Sequence, residues 1–261
     1  MIRVGIGGWT FAPWCGSFYP EGLPHARELA YACSKVTAIE VNGTFYRTQT
    51  PASFRKWADE APDGFVFALK GHRSVSNRGK LAEAGPAIAR FVESGITELG
   101  DKLGPINWQL APTKKFDPED LDAFLSLLPG EVDGRALRHA IEVRHDSFLT
   151  PEFVALARRH QVAIVFAEAD AHPMIADQTG SFVYARLQRA RHNEPHGYPA
   201  AELDLWAARA RIWRQGGAPD GLPLIQPASA GESSPRDVFM FFISGDKVRN
   251  PTAATALIER L

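Results

Sequence analysis

The chain has 261 residues, 45% hydrophobic and 23% charged, with 29 Lys and Arg against 30 Asp and Glu. A large buried core is available, which excludes a globally disordered chain. The net charge of −1 and pI near 6.7 exclude the wide basic field that holds a nucleic-acid backbone or an anionic membrane.

Two cysteines, Cys15 and Cys33, without a C-x-x-C pair give neither a disulfide framework nor a cysteine zinc site. The start, Met1-Ile2-Arg3-Val4-Gly5-Ile6, reads as a strand and lacks the apolar core of a signal peptide. No apolar run approaches the ~18 residues of a membrane span. A cytoplasmic protein without a membrane partner is expected.

In chain order, a strand is predicted over 2–7, and Pro24 opens a helical segment carrying Leu29, Ala30 and Cys33. A strand over 38–41 precedes a helix from Pro51 with Phe54, Trp57 and Ala58. A strand over 65–69 precedes a helix from Pro86 with Ile88, Phe91 and Val92. A strand over 105–110 precedes a helix from Pro118 with Leu121, Phe124 and Leu125. A strand over 140–143 precedes a helix from Pro151 with Phe153, Val154 and Leu156. Strands over 163–167 and 182–187 follow, then a helix from Pro199 with Leu203, Trp206, Ala210 and Trp213, and a last strand over 238–242. Proline is pre-set for the first helical position, and Asp117 and Thr150 stand where N-caps belong. The Gly-, Pro- and Ser-rich stretch 215–236 reads as a mobile excursion on the N-terminal side of the last strand.

Near-continuous apolar strands alternating with helices define a parallel sheet. Eight such units predict an α/β fold of one domain over 1–261, a closed (β/α)₈ TIM-type barrel. The runner-up is an open doubly wound sheet, but no Gly-x-Gly-x-x-Gly follows any strand.

Reactive groups of such barrels sit at the C-terminal strand ends. Here those ends carry Glu40 and Asn42, Lys70, Asn107 and Gln109, Glu142, Arg144 and His145, Glu168 with Asp170 and His172, and Tyr184 with Arg186. A period of two puts Glu40 with Asn42, Glu142 with Arg144, and Tyr184 with Arg186 on single faces. That face must point into the barrel, where charge is costly unless paired.

Plainer readings stand beside this one. Glu142 and Arg144 can close a buried ion-pair network, Lys70 can snorkel from a strand end, and His145 can cap a loop. Trp9, Phe11, Trp14, Phe18 and Tyr19 can be loop packing. Four chemistries fit the polar set. Glu40 and Glu142 can act as acid and base on a sugar-like bond, or Lys70 can form a Schiff base. Glu142, Glu168, Asp170 and His172 can hold a divalent metal, the one cofactor option. Lys70, Arg144 and Arg186 can clamp a phosphate or carboxylate, the preferred reading because it needs only charge complementarity.

The motifs Gly8-Trp9-Thr10-Phe11 with Trp14 to Pro20, Ile39-Glu40-Val41-Asn42-Gly43-Thr44-Phe45-Tyr46, Phe65 to Lys70, Trp108-Gln109-Leu110, Glu142-Val143-Arg144-His145 and Tyr184-Ala185-Arg186-Leu187 together resemble the YecE-like family, the domain of unknown function 72. The resemblance implies a TIM-type barrel and names no reaction. Glu40, Asn42, Tyr46, Lys70, Gln109, Glu142, Arg144, His145 and Arg186 match its pattern. Ser76-Asn77, Gln188-Arg189 and Ile243-Ser244 depart from the Thr-His, His-Gly and paired asparagines found there.

The expected function is thus a small-molecule site for an anionic metabolite, with Glu40, Glu142, Lys70 and His145 as catalytic candidates. Asn42, Tyr46, Gln109, Arg144, Arg186 and Trp9 are the ligand contacts. The alternatives are a non-catalytic nucleotide or nucleic-acid binder, and a metal-dependent hydrolase or isomerase.

Overall fold

A computed structural model describes residues 1–227 and 234–261. Eight strands, β1 (Ile2–Gly7), β2 (Ala38–Val41), β3 (Val66–Lys70), β4 (Leu103–Gln109), β5 (His139–Glu142), β6 (Ala163–Glu168), β7 (Phe182–Leu187) and β8 (Asp237–Phe242), form a closed barrel. Every neighbouring pair is parallel, and β8 returns to β1 with Ile2 opposite Val238. The fold is the (β/α)₈ TIM-type barrel that the alternation of elements predicts.

The surrounding helices are α1 (Glu28–Lys35), α2 (Pro51–Glu60), α3 (Gly85–Val92), α4 (Pro118–Ser126), α5 (Pro151–Arg159), α6 (Ala200–Arg214) and α7 (Asn250–Ile258). Proline occupies the first turn of α2, α4 and α5. The preceding Thr50, Asp117 and Thr150 side chains accept from the backbone N–H of Ser53, Asp120 and Phe153, which satisfies donors that a helix start leaves unpaired.

Side-chain parity sorts the strands into two cores. The outward residues, such as Ile39, Phe67, Trp108, Ile141, Phe166 and Met240, pack under the helices. The inward ones fill the barrel. Ala38, Ala68 and Ala140 lie within it beside the bulky Phe182, Tyr184, Phe239 and Phe241, so small residues on one wall make room for large ones on the other. At Gly5 a Cβ would stand 1.9 Å from the Ala38 carbonyl oxygen; only glycine lets β1 and β2 lie that close.

Two features depart from the expected alternation. The β6–β7 connection, residues 169–181, holds no helix. It is fastened instead: Thr179 Oγ1 donates to the Val162 carbonyl at 2.6 Å and accepts from the Ile164 N–H at 3.0 Å. The described parts of the 215–236 excursion are tied to this connection. Ile225 and Gln226 donate to the Asp177 carboxylate at 2.7 and 2.8 Å, and Arg236 donates to Gln178 Oε1 at 2.5 Å. These flanks are thus hydrogen-bonded to the body of the barrel; the rest of the stretch read as a mobile excursion, residues 228–233, lies outside the described residues. No helix among the described residues is long and apolar enough to cross a membrane.

Candidate functional site

Above the apolar barrel interior, the upper layer is polar. Glu40, Lys70, Asn107, Gln109, Glu142 and Arg186 all point inward and all are buried, Glu40 and Glu142 completely. Arg186 is its centre. Its Nη1 donates to Glu142 Oε2 at 2.7 Å and Oε1 at 2.9 Å, and its Nη2 to Glu40 Oε1 at 3.2 Å. Tyr184 Oη donates to Glu40 Oε2 at 2.7 Å. Arg144 completes the shell of Glu142, with Nε and Nη2 donating to Oε1 at 2.9 and 2.8 Å, and Asn107 Nδ2 donates to Oε2 at 3.2 Å. Buried charge is tolerated here because each carboxylate has several charged or polar donors.

The electrostatics follow. Burial pushes the Glu142 carboxyl up, but Arg186, then Arg144 and Lys70, outweigh it and hold the group at about 2. Arg186 is pushed above its ordinary range: burial opposes its charge, and Glu142 and Glu40 more than restore it. Burial likewise raises the Tyr184 hydroxyl well above its usual value, with Glu40 adding to the shift. Lys70 goes the other way. Burial lowers its ammonium to about 8, with Arg186 and Arg144 adding to the fall while Glu40 and Glu142 oppose it. Its Nζ donates to Gln109 Oε1 at 2.9 Å and stands 4.5 Å from the centre of the Phe45 ring.

A cavity of about 290 Å³ opens above this layer, at the C-terminal mouth of the barrel. Its walls are Gly7, Asn42, Tyr46, Lys70, Gln109, Arg144, Arg186, Ile243, Ser244, Lys247 and Asn250. Among the described residues, four cations line it and no carboxylate does. Their donors are not all spent. Lys70 bonds only Gln109, and Arg144 Nη1 has no hydrogen-bond partner among the described residues. Lys247 makes no ion pair there; its Nζ lies over Phe11 at 4.3 Å, and burial lowers its ammonium. Asn250 is buried with an unpartnered Oδ1.

Of the residues singled out in the sequence, Asn42, Tyr46, Lys70, Gln109, Arg144 and Arg186 meet in this cavity. Trp9 lines an adjoining cavity of about 250 Å³, with Asn42, Gly7 and Lys247 shared between the two. Glu40 and Glu142 lie beneath the floor, sealed by Arg186 and Arg144; they fix the arginines and do not face the space. His145 is not brought to the cavity either. Its Nδ1 accepts from the Ser147 N–H at 3.1 Å, capping the turn Asp146–Phe148, which is the plainer of its two sequence readings.

The metal option is corrected. Among the described residues no group of three His, Cys, Asp or Glu is placed to hold an ion. Inward residues of β6 are Ala163 and Val165, so Glu168 faces outward, where Tyr198 Oη donates to it at 2.7 Å. Asp170 pairs with Arg189, and Glu142 is committed to its arginines. Sequence reasoning missed Lys247, Ser244 and Asn250. The signal was present: they follow the eighth strand, in the loop region that TIM barrels often use for phosphate.

Fold and site together define a parallel β/α barrel with a cation-lined mouth. The chain belongs to the family described as "Protein of unknown function DUF72", whose profile matches residues 3–261; this is the family that the sequence motifs resemble. Among solved structures, a DUF72 family protein from Thermotoga maritima MSB8 is similar at 21% identity and a TM-score of 0.72, covering 99% of this chain and 97% of that one. A DUF72 family protein from Enterococcus faecalis V583 is similar at 17% identity and a TM-score of 0.69, covering 99% and 96%. Among curated proteins, the UPF0759 protein YunF of Bacillus subtilis (strain 168) is 23% identical over 158 residues, 59% of this chain and 54% of that protein. The match thus spans about half the length of that relative.

Proposed function

We propose that the chain binds and acts on a small anionic metabolite, a phosphate or carboxylate compound, at the mouth of the barrel. One observation carries this reading: the cavity is lined by Lys70, Arg144, Arg186 and Lys247 and, among the described residues, by no acidic side chain. Glu142 and Glu40 beneath the floor meet the charge of Arg144 and Arg186, but Lys70 and Lys247 have no carboxylate partner among the described residues, and these two ammonium groups with the spare Arg144 Nη1 favour an anion. Acid–base work at the ligand falls to Lys70, whose ammonium at about 8 exchanges a proton readily near neutral pH. Glu40 and Glu142, the carboxylate candidates, instead hold Arg186 and Arg144 in position.

Titration calorimetry with inorganic phosphate tests the proposal. One site is expected in the wild type, weakened at least about tenfold in Arg144→Ala and in Lys247→Ala, the size of losing one charge-assisted contact. No binding to the wild type, or binding to both variants as tight as to the wild type, overturns it.

A nucleotide or nucleic-acid ligand is favoured by one separate observation. A third depression, of about 520 Å³ after β3 and β4, is lined by Arg78, Lys114 and Lys115. Lys114 is already paired with Asp120 at 2.6 Å, which weakens that reading. A gel shift with single-stranded and duplex DNA, showing no salt-sensitive binding, would remove it.

A further inference from the structure

The aromatic loop after β1 lends no side chain to the lining of the anion site, yet it builds the second cavity against the first. Gly7, Asn42 and Lys247 line both. A Cβ on Gly7 would stand 3.0 Å from Asn42 Nδ2 and 3.1 Å from Ile243 Cγ1, so a side chain at that position would crowd the partition between them. Lys247 is held at this partition by the loop: Trp14 Nε1 donates to its carbonyl at 2.9 Å, and its ammonium lies over Phe11.

The second cavity is chemically unlike the first. Among the described residues Lys247 is its one charged lining residue, and Trp9, Trp57, Thr10, Asn42 and Gln49 supply its side-chain walls together with Val41. The Trp9 carbonyl accepts from Tyr19 Oη at 2.5 Å, and the indole meets Trp57 edge-on, with centroids 5.2 Å apart at 76°. That fixes one aromatic platform but provides no parallel second ring to sandwich a planar base. The Thr10 hydroxyl, the Asn42 side-chain amide and the Trp9 indole N–H make no hydrogen bond with any described residue. A purely apolar group would leave these polar atoms unpaired, which is costly. A ring bearing hydroxyls satisfies both sets, its C–H face on the indole and its hydroxyls on the amides.

We infer that the two cavities hold one ligand, a sugar monophosphate, with the phosphate among Lys70, Arg144 and Lys247 and the sugar ring on Trp9. This rests on the anion-site reading above and names its substrate class.

The test is calorimetry on the full chain with inorganic phosphate, glucose, glucose 6-phosphate, fructose 6-phosphate, ribose 5-phosphate and AMP. At least one sugar phosphate is expected to bind about tenfold or more tightly than phosphate, and glucose alone more weakly than either. Trp9→Ala and, at an exposed position that packs nothing, Thr10→Val should both reduce that gain while leaving phosphate affinity unchanged. If no sugar phosphate exceeds phosphate, if AMP exceeds them all, or if neither variant alters the gain, the inference is wrong and the anion site stands. If phosphate itself does not bind, the anion site fails first.

Discussion

Arg186 Nη1 donates to both carboxylate oxygens of Glu142, at 2.7 and 2.9 Å, inside a barrel that exposes neither group to any extent that matters, 3% and 0%. The pair is the support of the whole polar layer. Glu142→Gln leaves Arg186 and Arg144 short of their shared anion. The loss expected for breaking a buried pair is about 3–5 kcal/mol, read as a lower urea midpoint with unchanged slope. A variant as stable as the wild type would show that the pair is not what holds this layer.

Acid should act through the same residue. The folded-state value of Glu142, about 2, lies below its ordinary 4.5, so its contribution is present above pH 4.5 and is lost as pH falls towards 2. The contribution amounts to about 3 kcal/mol at 1.36 kcal/mol per unit. Urea unfolding from pH 6 to pH 3 should steepen below pH 4.5 in the wild type and much less in Glu142→Gln. Parallel curves would contradict the assignment.

Lys70 should cost stability. Its folded value near 8 lies below its ordinary 10.5, so the unfolded chain binds the extra proton, and stability rises as pH climbs from 8 to 10.5. Lys70→Met removes the charge from its buried site and should stabilise the fold near pH 7 by about 1–3 kcal/mol, while weakening sulfate binding about tenfold. Wild-type sulfate affinity should fall as pH rises through about 8, and the variant's should not. A destabilised Lys70→Met that still binds sulfate normally would mean that the lysine is a packing residue.

Tyr184→Phe takes one donor from the fully buried Glu40, whose Oε2 receives the hydroxyl at 2.7 Å. An unsatisfied buried acceptor costs about 1–3 kcal/mol, measurable by thermal unfolding. No change would place the hydroxyl outside the network.

Gly5→Ala tests closure of the barrel. The added Cβ meets the Ala38 carbonyl oxygen at 1.9 Å, and backbone there cannot yield without parting β1 from β2. A loss above about 4 kcal/mol is expected, against less than about 0.5 kcal/mol for Gly79→Ala, where nothing lies within 4 Å. Equal effects in circular-dichroism melts would overturn this.

Much of the fold was legible because the apolar runs and helix-opening prolines are local signals. Parity then put Glu40, Glu142, Tyr184 and Arg186 inside the barrel correctly, since pleating fixes side-chain direction two residues at a time. Parity applied equally to β6 would have turned Glu168 outward and removed the metal option. Helix α7 went unread: its Ala- and Thr-rich sequence, Asn250–Ile258, carries little amphipathic contrast because it is buried nearly all round. Depth was invisible too. Nothing in the sequence distinguishes Lys70, at the cavity wall, from Glu142, sealed below it; that difference arises from which arginine closes over which carboxylate.

The most direct measurement is anomalous diffraction from crystals soaked in selenate near pH 7, with the barrel mouth clear of lattice contacts. The account predicts a selenium peak within hydrogen-bonding reach of Lys70 Nζ, Arg144 Nη1 and Lys247 Nζ. Selenate ordered elsewhere on the surface, with the mouth of the barrel empty of it, would contradict the account.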